Sequence, residues 1–517
     1  MNRLLKKNLS KMSQTNLVDN RRIARNTALL YVRMIVVTLL SLVTVRYTLA
    51  LLGDSDFGIY NVVAGVVTFM SFVTATISSA TQRFLAFELG RDGGRGYNDM
   101  FNMLLALFGI VAVIICLLLE AFSYPIIYHW LNLPADRLDV AFTVYHLAVL
   151  SFFSVIVSMP FLSSILANER MGVYAYIAIF DTVAKLAILA LLLTDCGDRL
   201  IVYAVAMTVV SVLTNLIYVV YNQRCVAATR IYWHWSRDVV RRLSAYVGWS
   251  FFGAVSGILC MQGLTILINL FFGVVANTAK AIADRVMLMV QSFVMNFYMA
   301  VSPQITKSYA AADHAAALRL AYTSTRLGYY LMLLLIAPFI VLADLILTLW
   351  LGDDCSADTV LFTQLSLLFV LVNVFETPVT FLIRATGDIR RYQVCVGCVT
   401  LMVVPVSALL YWLGCAAFTS FVVLNAVYLV AQVVRIVVLR RFFQTGIADY
   451  FRQCVRKPMA ITLVVAAASV SLLLLGVHEL AVAVAVECLL MVVLWTYGLA
   501  DSERDLVRGY IMKRIKR

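Results

Sequence analysis

Long apolar runs separated by short polar punctuation dominate the chain. Fourteen runs of spanning length follow one another, beginning at about 26–50, 59–84 and 101–124 and ending at about 457–477 and 478–500. Each is close to the roughly 20 residues that a helix needs to cross hydrocarbon. None alternates polar and apolar residues as a half-buried strand does. A backbone in lipid must satisfy its own hydrogen bonds, so every run is predicted to be a helix. The expected fold class is all-α, a polytopic membrane protein of about 14 transmembrane helices.

Composition narrows this further. Of 517 residues, 62% are hydrophobic and 13% charged, against about 45–50% and about 25% in soluble domains. A water-soluble enzyme is excluded. The net charge of +13 takes its meaning from its placement. Connections on the side of the N terminus hold 32 Lys and Arg, and those on the opposite side hold only Arg137 and Arg199. Cytoplasmic loops collect basic residues, so both termini are expected in the cytoplasm, with an even number of spans and no role for nucleic acid. The first 25 residues hold seven basic side chains and no signal-peptide run, so the first span is expected to begin insertion.

The chain repeats itself at an offset of about 220. Leu-Leu-Gly ending at Gly53 meets Phe-Phe-Gly ending at Gly273, and Trp130-Leu131 meets Trp350-Leu351. At 218, Pro160, Ile165, Ala167 and Tyr174 meet Pro378, Ile383, Ala385 and Tyr392. Six spans per copy is an even number, so the copies share an orientation, as in transporters that rock two lobes about a central site. The expected organisation is a cytoplasmic segment 1–25, a six-helix lobe 26–222, an interfacial linker 223–243, a second lobe 244–440, two further helices within 441–500 and a basic cytoplasmic tail 501–517. The linker, with Tyr232, Trp233 and Trp235 among arginines, is predicted to be an amphipathic helix.

No nucleotide-binding glycine loop, metal-ligand spacing or catalytic constellation occurs, so neither enzyme activity nor a cofactor or metal is expected. Cys395 and Cys398 lie inside an apolar run and are read as packing residues. The informative residues are charges within spans, each costly unless paired or wet. Arg33 and Arg46 on the first span and Arg285 on the eighth are expected to face a hydrated cavity and hold an anion, the guanidinium fork suiting phosphate; the alternative for Arg33 and Arg46 is that they snorkel or pair with acids on neighbouring helices. Gln262, Asn269, Gln291 and Asn296 offer amides to sugar hydroxyls or to neighbouring helices. Asp181 with Lys185, Asp284 after Lys280, and Glu376 are candidates for ion coupling; the alternatives are a self-neutralising structural pair for Asp181 and Lys185 and a buried neutral carboxyl for Glu376.

Four segments together carry a family resemblance. "LLGDSDFGIYNVVAGVV", "SSATQRFLAFELGRDG", "VSPQITKSYAAAD" and "RATGDIRRYQ" resemble, in content and order, bacterial polysaccharide flippases of the Wzx type, within the MATE-like MOP superfamily. The resemblance covers nearly the whole chain. It implies two six-helix lobes, a cavity lined largely by spans 1, 2, 7 and 8, and two C-terminal helices. It also implies a location, the bacterial inner membrane, and a substrate, an oligosaccharide on undecaprenyl diphosphate moved from the cytoplasmic to the periplasmic leaflet. H+ or Na+ coupling, glycan polymerase or export machinery as partners, and action as a monomer are further expectations. In related lipid II flippases arginines lie on spans 1, 2 and 8; Arg33 and Arg285 match, whereas Arg83 stands at the end of span 2. The competing expectation is a MATE-type small-molecule or drug exporter driven by H+ or Na+; arginines on span 1 would repel cationic cargo.

Overall fold

The computed structural model describes residues 2–69, 71–91, 96–131, 133–192, 197–226, 229–351, 356–443, 445–501 and 503–505. Among them every regular element is a helix, as closing backbone hydrogen bonds within each apolar run requires. The first six are α1 (Asn2–Phe69), α2 (Ser71–Gly90), α3 (Tyr97–Ala121), α4 (Leu138–Ala167), α5 (Met171–Leu191) and α6 (Arg199–Cys225). Then come α7 (Arg237–Ala310), α8 (His314–Val341), α9 (Ala357–Thr386), α10 (Arg390–Trp412), α11 (Thr419–Leu439), α12 (Ile447–Leu474) and α13 (Glu479–Gly498). Thirteen segments of the described residues are long and apolar enough to cross a membrane, α7 supplying two of them. The remaining expected run, 59–84, is helical up to Phe69 and from Ser71 onward, and position 70 lies outside the described residues. Most of the expected basic tail, 506–517, lies outside them too.

Two compact units divide the chain. The first is Met1–Val247 with Thr306–Ala312; the second is Gly248–Ile305 with Asp313–Arg517. The core of the first gathers Ile59, Val63, Phe108, Tyr145, Ile156 and Leu200 from α1, α3, α4 and α6. The core of the second joins Val294, Leu333, Val370 and Leu424 to Ile461, Val486 and Leu490 of the last two helices. These helices are fastened to α8 by polar links at three levels. The Tyr329 hydroxyl meets Thr462 Oγ1 at 2.8 Å, Tyr330 donates to the Gly498 carbonyl at 3.3 Å, and Arg326 pairs with Glu503.

The sequence repeat reappears in the backbone. Helix breaks fall at Gly53 and Gly273, 220 residues apart, each with φ of +78°. α3 ends at Phe122 (φ −96°, ψ 4°) and α8 at Leu342 (φ −96°, ψ 14°), and short helical pieces follow both. The turns after α4 and α9 pass through the left-handed region at Glu169 and Gly387, 218 apart. The side chain of Trp130 lies outside the described residues.

The copies differ at their prolines and the linker departs from the expected helix, and both have physical reasons. Pro160 sits within an unbroken α4, whereas α9 breaks just before its equivalent, Pro378. Proline cannot donate to the carbonyl four residues back. Here that carbonyl, on Val374, accepts from the Tyr298 hydroxyl at 3.0 Å, and the next, on Phe375, accepts from Gln432 Nε2 at 2.8 Å and the Tyr450 hydroxyl at 3.0 Å. Buried partners thus hold the break open. The linker, secondly, is not an amphipathic helix: residues 229–236 have no regular structure, and α7 begins at Arg237. Side chains take the place of helical partners. Asn102 Nδ2 donates to the Arg230 carbonyl (2.7 Å) while its Oδ1 accepts from Tyr232 N–H (2.8 Å), and Thr229 Oγ1 donates to the Asn222 carbonyl (2.9 Å).

Candidate functional site

The predicted charges fall within both units. In the first, α1 carries Arg33 half-buried, its guanidinium over the Tyr174 ring of α5 at 4.7 Å from the centroid. Further along α5, Lys185 Nζ pairs with Asp181 Oδ2 at 2.7 Å, and Thr214 of α6 donates to Asp181 Oδ1 at 3.1 Å. Arg46, roughly 20 Å along the helix from Arg33, is exposed. In the second unit, Lys280 is buried and paired with Asp284, while Arg285, the next residue, is exposed. Arg46 and Arg285 enter no ion pair among the described residues. Gln262 and Asn269 are exposed, and Gln291 is half-buried. Asn296 is buried, and its amide donates to the Ser292 carbonyl of its own helix at 2.8 Å.

Each of the three carboxylates expected to couple an ion is therefore held by a cation. The third, Glu376 at the break in α9, pairs with Arg435 of α11 at 2.8 Å, and Arg435 is 2% exposed. The sequence reading noted Glu376 but not this partner, 59 residues away. The repeat explains the site: positions 218 and 220 residues earlier are Ser158 and Asn215. These also touch, Ser158 Oγ donating to Asn215 Oδ1 at 2.7 Å and Asn215 Nδ2 to Ser154 Oγ at 2.9 Å. One copy holds the same helix pair with neutral groups, the other with a buried ion pair.

Two more clusters escaped the sequence reading, because their members are far apart in the chain. Arg137 joins Asp56 and Asp198 in the first unit, its Nε donating to Asp56 Oδ1 at 3.1 Å. Burial would raise the Asp198 carboxyl, but Arg137 and the N–H groups of Leu200 and Ile201 bring it below the ordinary range. The same carboxylate caps α6. At the other end of this unit, buried Glu169 is met by Arg22 and Lys307, and Arg83 lies over the rings of Phe84, Phe87 and Tyr246.

Chemically, the arrangement offers arginines on apolar helices, two of them exposed, while the acids nearby are already neutralised. Such groups suit an anion and disfavour a cation. The second unit also holds an apolar recess of about 420 Å³ between α8 and α13, lined by residues such as Leu327, Leu331, Met491 and Trp495. Its lining fits a hydrocarbon chain rather than a sugar.

Comparison with known proteins gives both a fold and a family. In fold the chain is similar to an outward-facing multidrug resistance MATE transporter of the MOP superfamily, with a TM-score of 0.69 and 14% identity over 82% of this chain and 96% of that one. It is similar also to a MATE solved in complex with MaD3S (TM-score 0.69, 13% identity, 83% and 97% covered). A third is a MOP superfamily transporter from Pyrococcus furiosus, described as having a binding pocket of reversed polarity (TM-score 0.68, 14% identity, 82% and 96% covered). Such identities establish the fold alone. No curated protein matches the chain. Residues 23–309, more than half of the chain, match the family described as "Polysaccharide biosynthesis protein", and the chain belongs to that family. Family and spans together define a multi-pass membrane protein of the polysaccharide biosynthesis family, with the fold seen in MATE transporters of the MOP superfamily.

Proposed function

We infer that this chain is a transporter that moves an oligosaccharide carried on undecaprenyl diphosphate from the cytoplasmic to the periplasmic leaflet, by alternating access. The observation that carries the reading is the set Arg33, Arg46 and Arg285 on membrane-spanning helices, with Arg46 and Arg285 exposed and the acids Asp181, Asp284 and Glu376 already paired. A diphosphate cannot enter hydrocarbon unaided, and sugar hydroxyls there would lose their hydrogen bonds. Guanidinium groups supply both charge and a bidentate fork to phosphate. Membership of a polysaccharide biosynthesis family supports a glycan as the cargo. The 32-to-2 division of basic residues supports cytoplasmic termini, and hence the direction. Coupling to H+ or Na+ would act through Asp181, Asp284 or Glu376, each of which must first part from its cation. A drug exporter of the same fold would have to admit cationic cargo past these arginines, which Coulomb repulsion opposes.

The test in cells is depletion of the protein. The reading expects undecaprenyl-diphosphate-linked glycan to accumulate on the cytoplasmic face. Unchanged lipid-linked pools, together with increased sensitivity to cationic drugs, would favour the exporter instead.

A further inference from the structure

Glu169 forms the turn between α4 and α5 with φ of +59°. Side chains other than glycine are strained there. The equivalent position in the second copy is Gly387, with φ of +85°, at the corresponding turn between α9 and α10. The second copy shows that glycine makes this corner without strain, so the first copy carries its glutamate for the side chain.

That side chain is 4% exposed and receives two cations. Arg22 Nε of α1 lies at 3.1 Å and Lys307 Nζ, near the end of α7, at 2.7 Å. Backbone carbonyls of the corner strengthen the join, Arg22 donating to Asn168 O at 2.9 Å and Asn26 to Glu169 O at 3.2 Å. A separate feature makes room for Lys307. Gly90 ends α2, and a Cβ there would overlap the Lys307 carbonyl oxygen and come within 2.8 Å of Ala310 Cβ. The last turn of α7 thus lies flat on Gly90 and is pinned by Glu169. α7 is one helix by hydrogen bonding, yet Gly248–Ile305 belongs to the second unit and Thr306–Ala312 to the first.

We propose that Glu169 is a positioning residue for the transport cycle: its carboxylate latches the end of α7 and the start of the first span to the α4–α5 corner in one state and releases them in another. A permanent corner would be served by glycine. A latch needs a carboxylate that two cations can leave. The inference rests on the reading of the chain as an alternating-access transporter and holds whatever the cargo.

The test uses the full chain in native membrane vesicles, without substrate. Thr306, buried in the latched arrangement, is replaced in Thr306→Cys. Its reaction with a maleimide is followed by mass spectrometry of the peptide, so native cysteines do not interfere. Adding Glu169→Gly keeps the corner and removes the carboxylate; adding Lys307→Gln removes the cation and leaves the corner untouched. Both are expected to raise labelling at 306 by about fivefold or more, the lower end of a coupled conformational shift. Buried Cys260, in the second unit, should remain unreactive. Unchanged labelling in both variants at wild-type abundance would make Glu169 a static corner and overturn the proposal. Failure of both variants to accumulate would overturn it too, since the carboxylate would then be needed for folding rather than for switching.

Discussion

Gly53 and Gly273 break their helices with the same backbone: φ is +78° at both, and ψ is 168° at one and −168° at the other. This region is open essentially to glycine alone. Two residues 220 apart adopt it at the corresponding point of each copy, one span into the repeat.

Alanine at either position should therefore be strained even though a Cβ at each would meet open space. Gly53→Ala and Gly273→Ala are each expected to lower stability by roughly 1–3 kcal/mol, read as a fall in the midpoint of thermal unfolding in detergent. Gly109→Ala, in the ordinary helical interior of α3 and also facing open space, should be neutral or slightly stabilising. Equal melting of all three would remove the conformational argument.

The Glu376–Arg435 pair can be tested against its own repeat. Glu376→Ala leaves a buried guanidinium without its carboxylate, a loss of about 3–5 kcal/mol, and folded protein in the membrane should drop sharply. The double change Glu376→Ser with Arg435→Asn borrows the Ser158–Asn215 solution and should restore abundance. If the double variant accumulates no better than the single, the two sites are not interchangeable and their correspondence has no energetic meaning.

Acid should loosen the Arg137 cluster. The carboxyl of Asp198 titrates below its ordinary value in the folded chain. Its contribution is therefore present above the unfolded value of about 3.9 and is lost as pH falls through the folded one. Melting temperature should decline with acidification below about pH 5 more steeply in the wild type than in Arg137→Gln, which starts lower. Parallel pH profiles would show that the cluster contributes nothing.

Much of this fold is legible in the chain because lipid enforces one local rule. An apolar run of spanning length must be helical, and motif matches such as Pro160 with Pro378 reveal the duplication. What is not legible is pairing across distance. Glu376 and Arg435 are 59 residues apart, and Glu169 meets Lys307 138 residues on; no periodicity joins them. The non-helical linker depends on Asn102, more than 120 residues upstream of the carbonyl it holds. One signal is available: sliding the copies by 218 sets Glu169 against Gly387, a charge against a glycine between the matched pairs Ala167–Ala385 and Tyr174–Tyr392. Of the candidate site, the arginines on α1 and α7 are legible as charges within apolar runs, whereas Arg435 as the partner of Glu376 and Tyr246 as a ring against Arg83 are not.

The central claim concerns anion recognition by Arg33, and translocation in vesicles tests it most directly. Purified protein is reconstituted with a fluorescent undecaprenyl-diphosphate oligosaccharide, and the fraction reaching the opposite leaflet is followed by its loss of access to an external quencher. Wild-type protein should equilibrate the lipid. Arg33→Ala should slow this by about 10- to 100-fold, the equivalent of one charged hydrogen bond, at unchanged incorporation. Arg33→Lys should fall between, because a point charge replaces a fork while still facing the Tyr174 ring. Translocation by Arg33→Ala at the wild-type rate and wild-type incorporation would contradict the account.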